Sequence, residues 1–245
     1  MLGLKVSVVA GFLAFLPVPA WAQTVVKVGG YEFPPYVESG KDDMVGAIVA
    51  GLNKLQGDYR FEFIPVSARR RYADLAENRF DVMFFESPQW GWQGQAGATF
   101  TKVFMTGGEN YVAQAQAGRG QEYFDDLAGK SLVGILGYHY GFAGYEGDPK
   151  KLEQKFDIKL VGGHRSSIEL VLAGRRDVAV VTDAYLRRYL KDNPQAVARL
   201  LVSTHPDQVY EHRVLVRRGG PIGLETMQTL MDRLRNQGLF ATLAE

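Results

Sequence analysis

The chain has no cysteine among its 245 residues. That absence excludes disulfides, thiolate metal sites, a cysteine nucleophile and a lipid-modified N-terminal cysteine. Its four histidines (His139, His164, His205 and His212) are scattered without ligand spacing. No sign of charge dominates: 28 basic residues stand against 27 acidic ones, a formal charge of +1. A protein built to grip nucleic acid needs a strong positive field, so that class is set aside. Neither a Gly-x-Ser-x-Gly elbow nor a His-Glu-x-x-His helix occurs. Gly129-Lys130-Ser131 imitates the end of a phosphate loop, but the glycine needed five positions earlier is Phe124.

The first residues carry an address. Lys5 is the only charge before an apolar run over 6–16, Pro17 and Pro19 follow, and Ala20-Trp21-Ala22 supplies small residues two apart. This is the layout of a secretory signal, with cleavage expected after Ala22. The run is too short for a membrane span, which needs about 20 residues. With no cysteine to lipidate, the mature chain is expected free in a Gram-negative periplasm.

Beyond that point the chain reads as two similar α/β units. Strand patterns over 25–29, 60–66 and 81–85 alternate with helical spacing over 47–55 and a helix over 67–77 capped by Ser67. In the second strand Phe61 and Phe63 share one face, with Glu62 on the other. The pattern restarts with strands over 131–136, 158–161 and 177–181 around a helix over 166–173. Such β-α-β-α-β runs make parallel sheets covered by helices. Asn78-Arg79-Phe80-Asp81-Val82 and Gly174-Arg175-Arg176-Asp177-Val178 each end a helix and launch a strand with Asp-Val. Residues 110–113 are expected to cross from one lobe to the other and 209–216 to cross back, with an amphipathic helix over 224–243 last. The expected division is 23–109 plus 214–245 for one lobe and 110–213 for the other, with a hinge and cleft between.

These segments resemble the type-2 periplasmic solute-binding proteins, specifically extracellular solute-binding protein family 3, the amino-acid class. The likeness is carried by Val26-Lys27-Val28-Gly29 leading to Phe33-Pro34-Pro35-Tyr36, by Gly46 before the first helix, and by Asp81-Val82. It continues with Leu127-Ala128-Gly129-Lys130 before Leu132-Val133-Gly134, with 174–183, and with Gly238-Leu239. It implies two Rossmann-like lobes that close over one small solute. The solute would pass to an inner-membrane permease of an ABC-type transporter. No catalysis, cofactor, metal or nucleic acid is implied, and the protein is expected to be a monomer.

Site residues follow from the same resemblance. Asp183 stands where the family places its ammonium-binding carboxylate, Glu86 ends the matching strand of the first lobe, and Phe33 stands at the solute-stacking position. Trp90, in Ser87-Pro88-Gln89-Trp90, occupies the place of the family's carboxylate-clamping arginine. Gly137-Tyr138-His139-Tyr140 replaces the usual small hydroxyl residues. Arg70, of the run Arg69-Arg70-Arg71, is the expected substitute cation. The aromatics Tyr31, Phe33, Tyr36, Trp90, Trp92, Tyr138 and Tyr140 fall on loops near strand ends, where flat rings suit apolar or cationic solutes. Two acids in one cleft favour a cationic solute, since buried negative charge needs a partner. Two alternatives stay open: an enzyme resembling cyclohexadienyl dehydratase with His139 or Glu86 moving the proton, and a sensory subunit that docks on a membrane receptor.

Overall fold

A computed structural model describes residues 22–38 and 43–244. The signal segment expected over 1–22 lies outside the described residues, apart from Ala22. Among the described residues no helix is long and apolar enough to cross a membrane.

Strand β1 (Thr24–Gly30) alternates, burying Val26 and Val28 while Lys27 faces water. Helix α1 (Met44–Leu55) starts three residues earlier than expected because Asp43 caps it, accepting the N–H of Gly46 at 2.7 Å. Strand β2 (Tyr59–Pro65) runs parallel to β1 at the sheet edge. There Phe61 is buried, but Phe63 stays 37% exposed, lying over Gly30 where no side chain intervenes. Helix α2 (Arg71–Ala76) is shorter than its pattern: residues 68–70 form a turn, and Ser67 closes that turn through its carbonyl instead of capping a helix. Strand β3 (Val82–Glu86), buried along its whole length, returns beside β1.

The second unit repeats this plan. It comprises β6 (Leu132–Ile135), α3 (Pro149–Lys155), β7 (Ile158–Val161), α4 (His164–Leu172) and β8 (Val178–Thr182), with β6 central and parallel to both partners. A further helix, α5 (Asp183–Asp192), follows β8 directly. The paired launch segments share one geometry: Asn78 and Gly174 leave their helices at φ +57° and +65°, the left-handed exit that ends helices. Asp81 and Asp177 then each exchange backbone and side-chain hydrogen bonds with the neighbouring strand, at Lys27 and Ser131, all at 2.8–2.9 Å.

Two long antiparallel strands join the units, β5 (Met105–Gln114) and β9 (Leu200–Arg217). β9 pairs β5 from Leu200 to His212. The rest of it pairs β3 and the short β4 (Ala98–Phe100), so the sheet runs β2-β1-β3-β9-β5-β8-β6-β7. The final amphipathic stretch is two helices, α6 (Leu224–Asn236) and α7 (Leu239–Ala244), broken at Gly238 with φ +80°.

Candidate functional site

The loops that leave β1, β3 and β6 meet residues of β5 and β9 at the junction of the two units. Between them lies a narrow pocket lined by Phe33, Trp90, Tyr138, Tyr210, Glu109 and Gln208, with Tyr31, Arg71 and His139 along its side. Within it a water centre has only ≈ 10 Å³ to move in, about the least that holds one water. The cleft is shut. Contacts between the units hold it: Tyr138 donates to the Glu32 carbonyl at 3.0 Å, and Arg188 of α5 forks onto Glu38 at 2.5 and 2.8 Å.

The apolar wall follows from the tight loop after β1. Phe33 and Val37 exchange backbone hydrogen bonds at 2.9 and 3.0 Å, which points the Phe33 ring into the cleft. Trp90, Tyr138 and Tyr210 meet that ring edge-on at 5.3–5.8 Å, the arrangement favoured by aromatic quadrupoles. Tyr36 stands behind the wall, stacked on Phe85 at 4.9 Å and edge-on to His212 at 4.6 Å. Its hydroxyl needs the bare backbone of Gly107, where a Cβ would come within 2.4 Å.

Arg70 is not the arginine of the cleft. It lies 57% exposed over Asp74 and Glu77, whereas Arg71, one residue and about 100° further round the helix, turns inward. The Arg71 guanidinium is largely engaged, although its Nε makes no hydrogen bond. It donates to the carbonyls of Ala68 and Gly137 and to Nδ1 of His139, lies 4.9 and 4.8 Å from the ring centres of Tyr31 and Tyr72, and faces Glu86 at 3.6 Å. Glu86 is consumed by the same arrangement: it is 0% exposed, takes the indole N–H of Trp92 at 2.5 Å, and has no lining contact with the cavity. Burial raises its pKa, with Arg71 and the Trp92 bond pulling the other way.

Asp183 also stands aside. It opens α5, with one oxygen on the N–H of Ala184 and the other on Arg187 at 3.2 Å. His139 does line the cavity. Because Arg71 can only donate, Nδ1 of His139 accepts, and its proton sits on Nε2, 3.1 Å from the Tyr72 hydroxyl, which in turn donates to the Trp90 carbonyl at 2.7 Å. Both ring nitrogens are thus engaged, and burial together with the Arg71 charge lowers the pKa to about 3.

The residues that sequence reasoning missed are Glu109, Gln208 and Tyr210. Glu109 is paired with Gln208 across the β5–β9 ladder, at a point where the register shifts. Irregularities of this kind re-aim side chains next to functional sites. The Gln208 amide donates to Glu109 at 2.8 Å and to the His139 carbonyl, while its oxygen accepts the Trp90 indole N–H at 2.9 Å. Burial, then the charge of Asp207, lifts the Glu109 pKa to about 8. A signal was present: Gln208, Tyr210 and His212 alternate inward while apolar Val209 points out, 64% exposed. An inverted alternation marks a polar strand face turned to the interior.

No family model matches the chain, and no curated protein matches it. Solved structures do. The GluR0 ligand-binding core from Nostoc punctiforme, in complex with L-glutamate, superposes with a TM-score of 0.68 at 13% identity, covering 89% of this chain and 96% of that one. A putative binding component of an ABC transporter from Wolinella succinogenes, complexed with lysine, reaches 0.70 at 15% identity over 91% and 94%. A mutant of ArgBP from T. maritima gives 0.66 at 17% over 89% and 93%. The fold is therefore the two-lobed α/β architecture of type-2 periplasmic binding proteins.

Proposed function

We propose that this protein is a non-catalytic periplasmic receptor that traps one small polar or cationic solute by lobe closure and delivers it to an ABC-type uptake transporter. The carrying observation is the cavity itself, enclosed by side chains from both units at the β5 and β9 crossings. Small-molecule sites favour such junctions. The lobes are 23–109 plus 214–245 and 110–213, moving about those crossings. The signal over 1–22 directs export, and the mature protein acts as a monomer. Phe33, Trp90, Tyr138 and His139 line the solute site, with Tyr36 supporting Phe33 from behind. Relatives in fold that hold glutamate and lysine support a solute-binding role.

Thermal unfolding against amino acids, amines, organic acids and neutral aromatics tests this reading. A solute at about 100 times its Kd adds about 2.7 kcal/mol, a rise of roughly 5–10 °C for a chain of this size. No shift from any class, after refolding to strip carried-over solute, would overturn it.

A further inference from the structure

Glu109 is the one acid of the cavity whose charge the protein leaves unanswered. Arg71, the only basic side chain lining the same cavity besides neutral His139, is held by Glu86, two carbonyls and His139. Among the described residues Glu109 has no ion-pair partner at all. The groups that act on it are acids or neutral: Asp207, Gln208 and Tyr210 from β9, and Asp183 from α5. Tyr138 and Tyr140 from the loop after β6, Tyr111 from its own strand, and Tyr36 complete its surroundings. A carboxylate placed so deep is stable only when neutral or when it meets a cation.

The remaining walls suit a cation as well. Phe33, Trp90, Tyr138 and Tyr210 present aromatic surface, which attracts cations. The Gln208 amide already occupies the donor position, giving one N–H to Glu109 and another to the His139 carbonyl. An ammonium brings three donors to the same place. The one guanidinium lining the cavity, Arg71, already faces Glu86 and donates to two carbonyls and to His139.

We infer that the cleft selects a protonated amine with a compact apolar body and no carboxylate, its ammonium displacing the Gln208 amide to bind Glu109 between aromatic walls. This rests on the solute-receptor reading and names the solute class for that site. It also carries a consequence for protons. Burial raises the Glu109 pKa to about 8, so an ammonium that ionises it at pH 7 should release a proton on binding.

Isothermal titration of the purified protein at pH 7, in buffers of different ionisation enthalpy, tests the inference. The probes are phenethylamine, phenylalanine, phenylacetate and phenethyl alcohol, which share a body and differ in charged groups. The expected result is phenethylamine binding at least tenfold tighter than the other three, with nearly one proton released. Glu109→Gln, which mimics the neutral acid in shape, should remove that preference and the proton release. Should Glu109→Gln fail to fold, the affinity order of the four probes on the unmodified protein decides. Tighter binding of phenylalanine or phenylacetate, or amine binding with no proton released, overturns the inference but leaves the receptor reading standing. If neither these probes nor the wider solute panel bind, both fall.

Discussion

The two βαβ units launch their third strands with the same device and then treat the acids beyond it in opposite ways. Asn78 and Gly174 take the same left-handed exit, and Asp81 and Asp177 clasp the neighbouring strand with the same bonds. Past the strand ends the likeness stops. Glu86 is sealed at 0% exposure against Arg71, while Asp183 sits at the start of α5 beside Arg187, itself 69% exposed. The difference teaches that local sequence sets backbone geometry, whereas the fate of a charge depends on what folds over it. An exposed pair is screened by water and worth little; a buried one is costly to break.

The sharpest way to break the comparison is to remove the two arginines. Arg71→Met strands Glu86 without its counter-charge and should cost about 3–5 kcal/mol in urea unfolding, whereas Arg187→Met should cost less than about 1 kcal/mol. Equal losses would mean that the buried pair is no more than a surface pair. Acid challenges both units at once. His139, His164 and His212 each have a pKa lowered to about 3 by burial, so the unfolded chain takes up more protons below pH 6.5 and stability falls with pH. Glu109, raised to about 8, acts in the opposite sense between pH 8 and its unfolded value, as do Glu86 and Asp207. On balance the three histidines should make stability fall from pH 6.5 to 4.5, read from urea unfolding midpoints. That fall should lessen in His212→Phe, whose ring fits among the aromatics that surround His212.

The launch segments sharpen the comparison at smaller scale. Asp81 is 5% exposed and also holds Arg217 at 2.6 Å. Asp81→Ala should cost about 2–3 kcal/mol by leaving that cation unpaired, against about 1 kcal/mol for Asp177→Ala, which serves Ser131 in a more open setting. Smallest are the exits themselves. Gly174→Ala, at φ +65°, should cost about 1 kcal/mol, and Asn78→Gly should change stability by only a few tenths. All four variants are read from denaturant midpoints at constant slope.

Much of the architecture was legible beforehand because it rests on period and turn chemistry. The strands of both units and the repeated Asp-Val launch lie where alternation and helix-ending residues put them. The errors were local. Ser67 looked like a cap but closes a turn, and Gly238 breaks a helix whose apolar stripe runs on past it. The site was read less well. Phe33, Trp90, Tyr138 and His139 line the cavity, but Arg70 and Asp183 stand outside it and Glu86 is locked to Arg71. Three adjacent arginines carry no mark of which one turns inward, because that depends on where a short helix begins.

The sequence by itself determined two α/β units of matching design and an aromatic-rich set of loops at their strand ends. These follow from residue spacing and turn preference, which act over a few neighbours. Only the tertiary structure decided which charges remain available. Glu109 and Gln208 are 99 residues apart in the chain and meet because β5 and β9 pair with a shifted register. Arg71 faces an acid 15 positions on because the fold brings the start of α2 to the end of β3. Burial strengthens electrostatic interactions and removes water as a partner, so the pairing made by the fold, more than the residue type, sets what the cleft can hold.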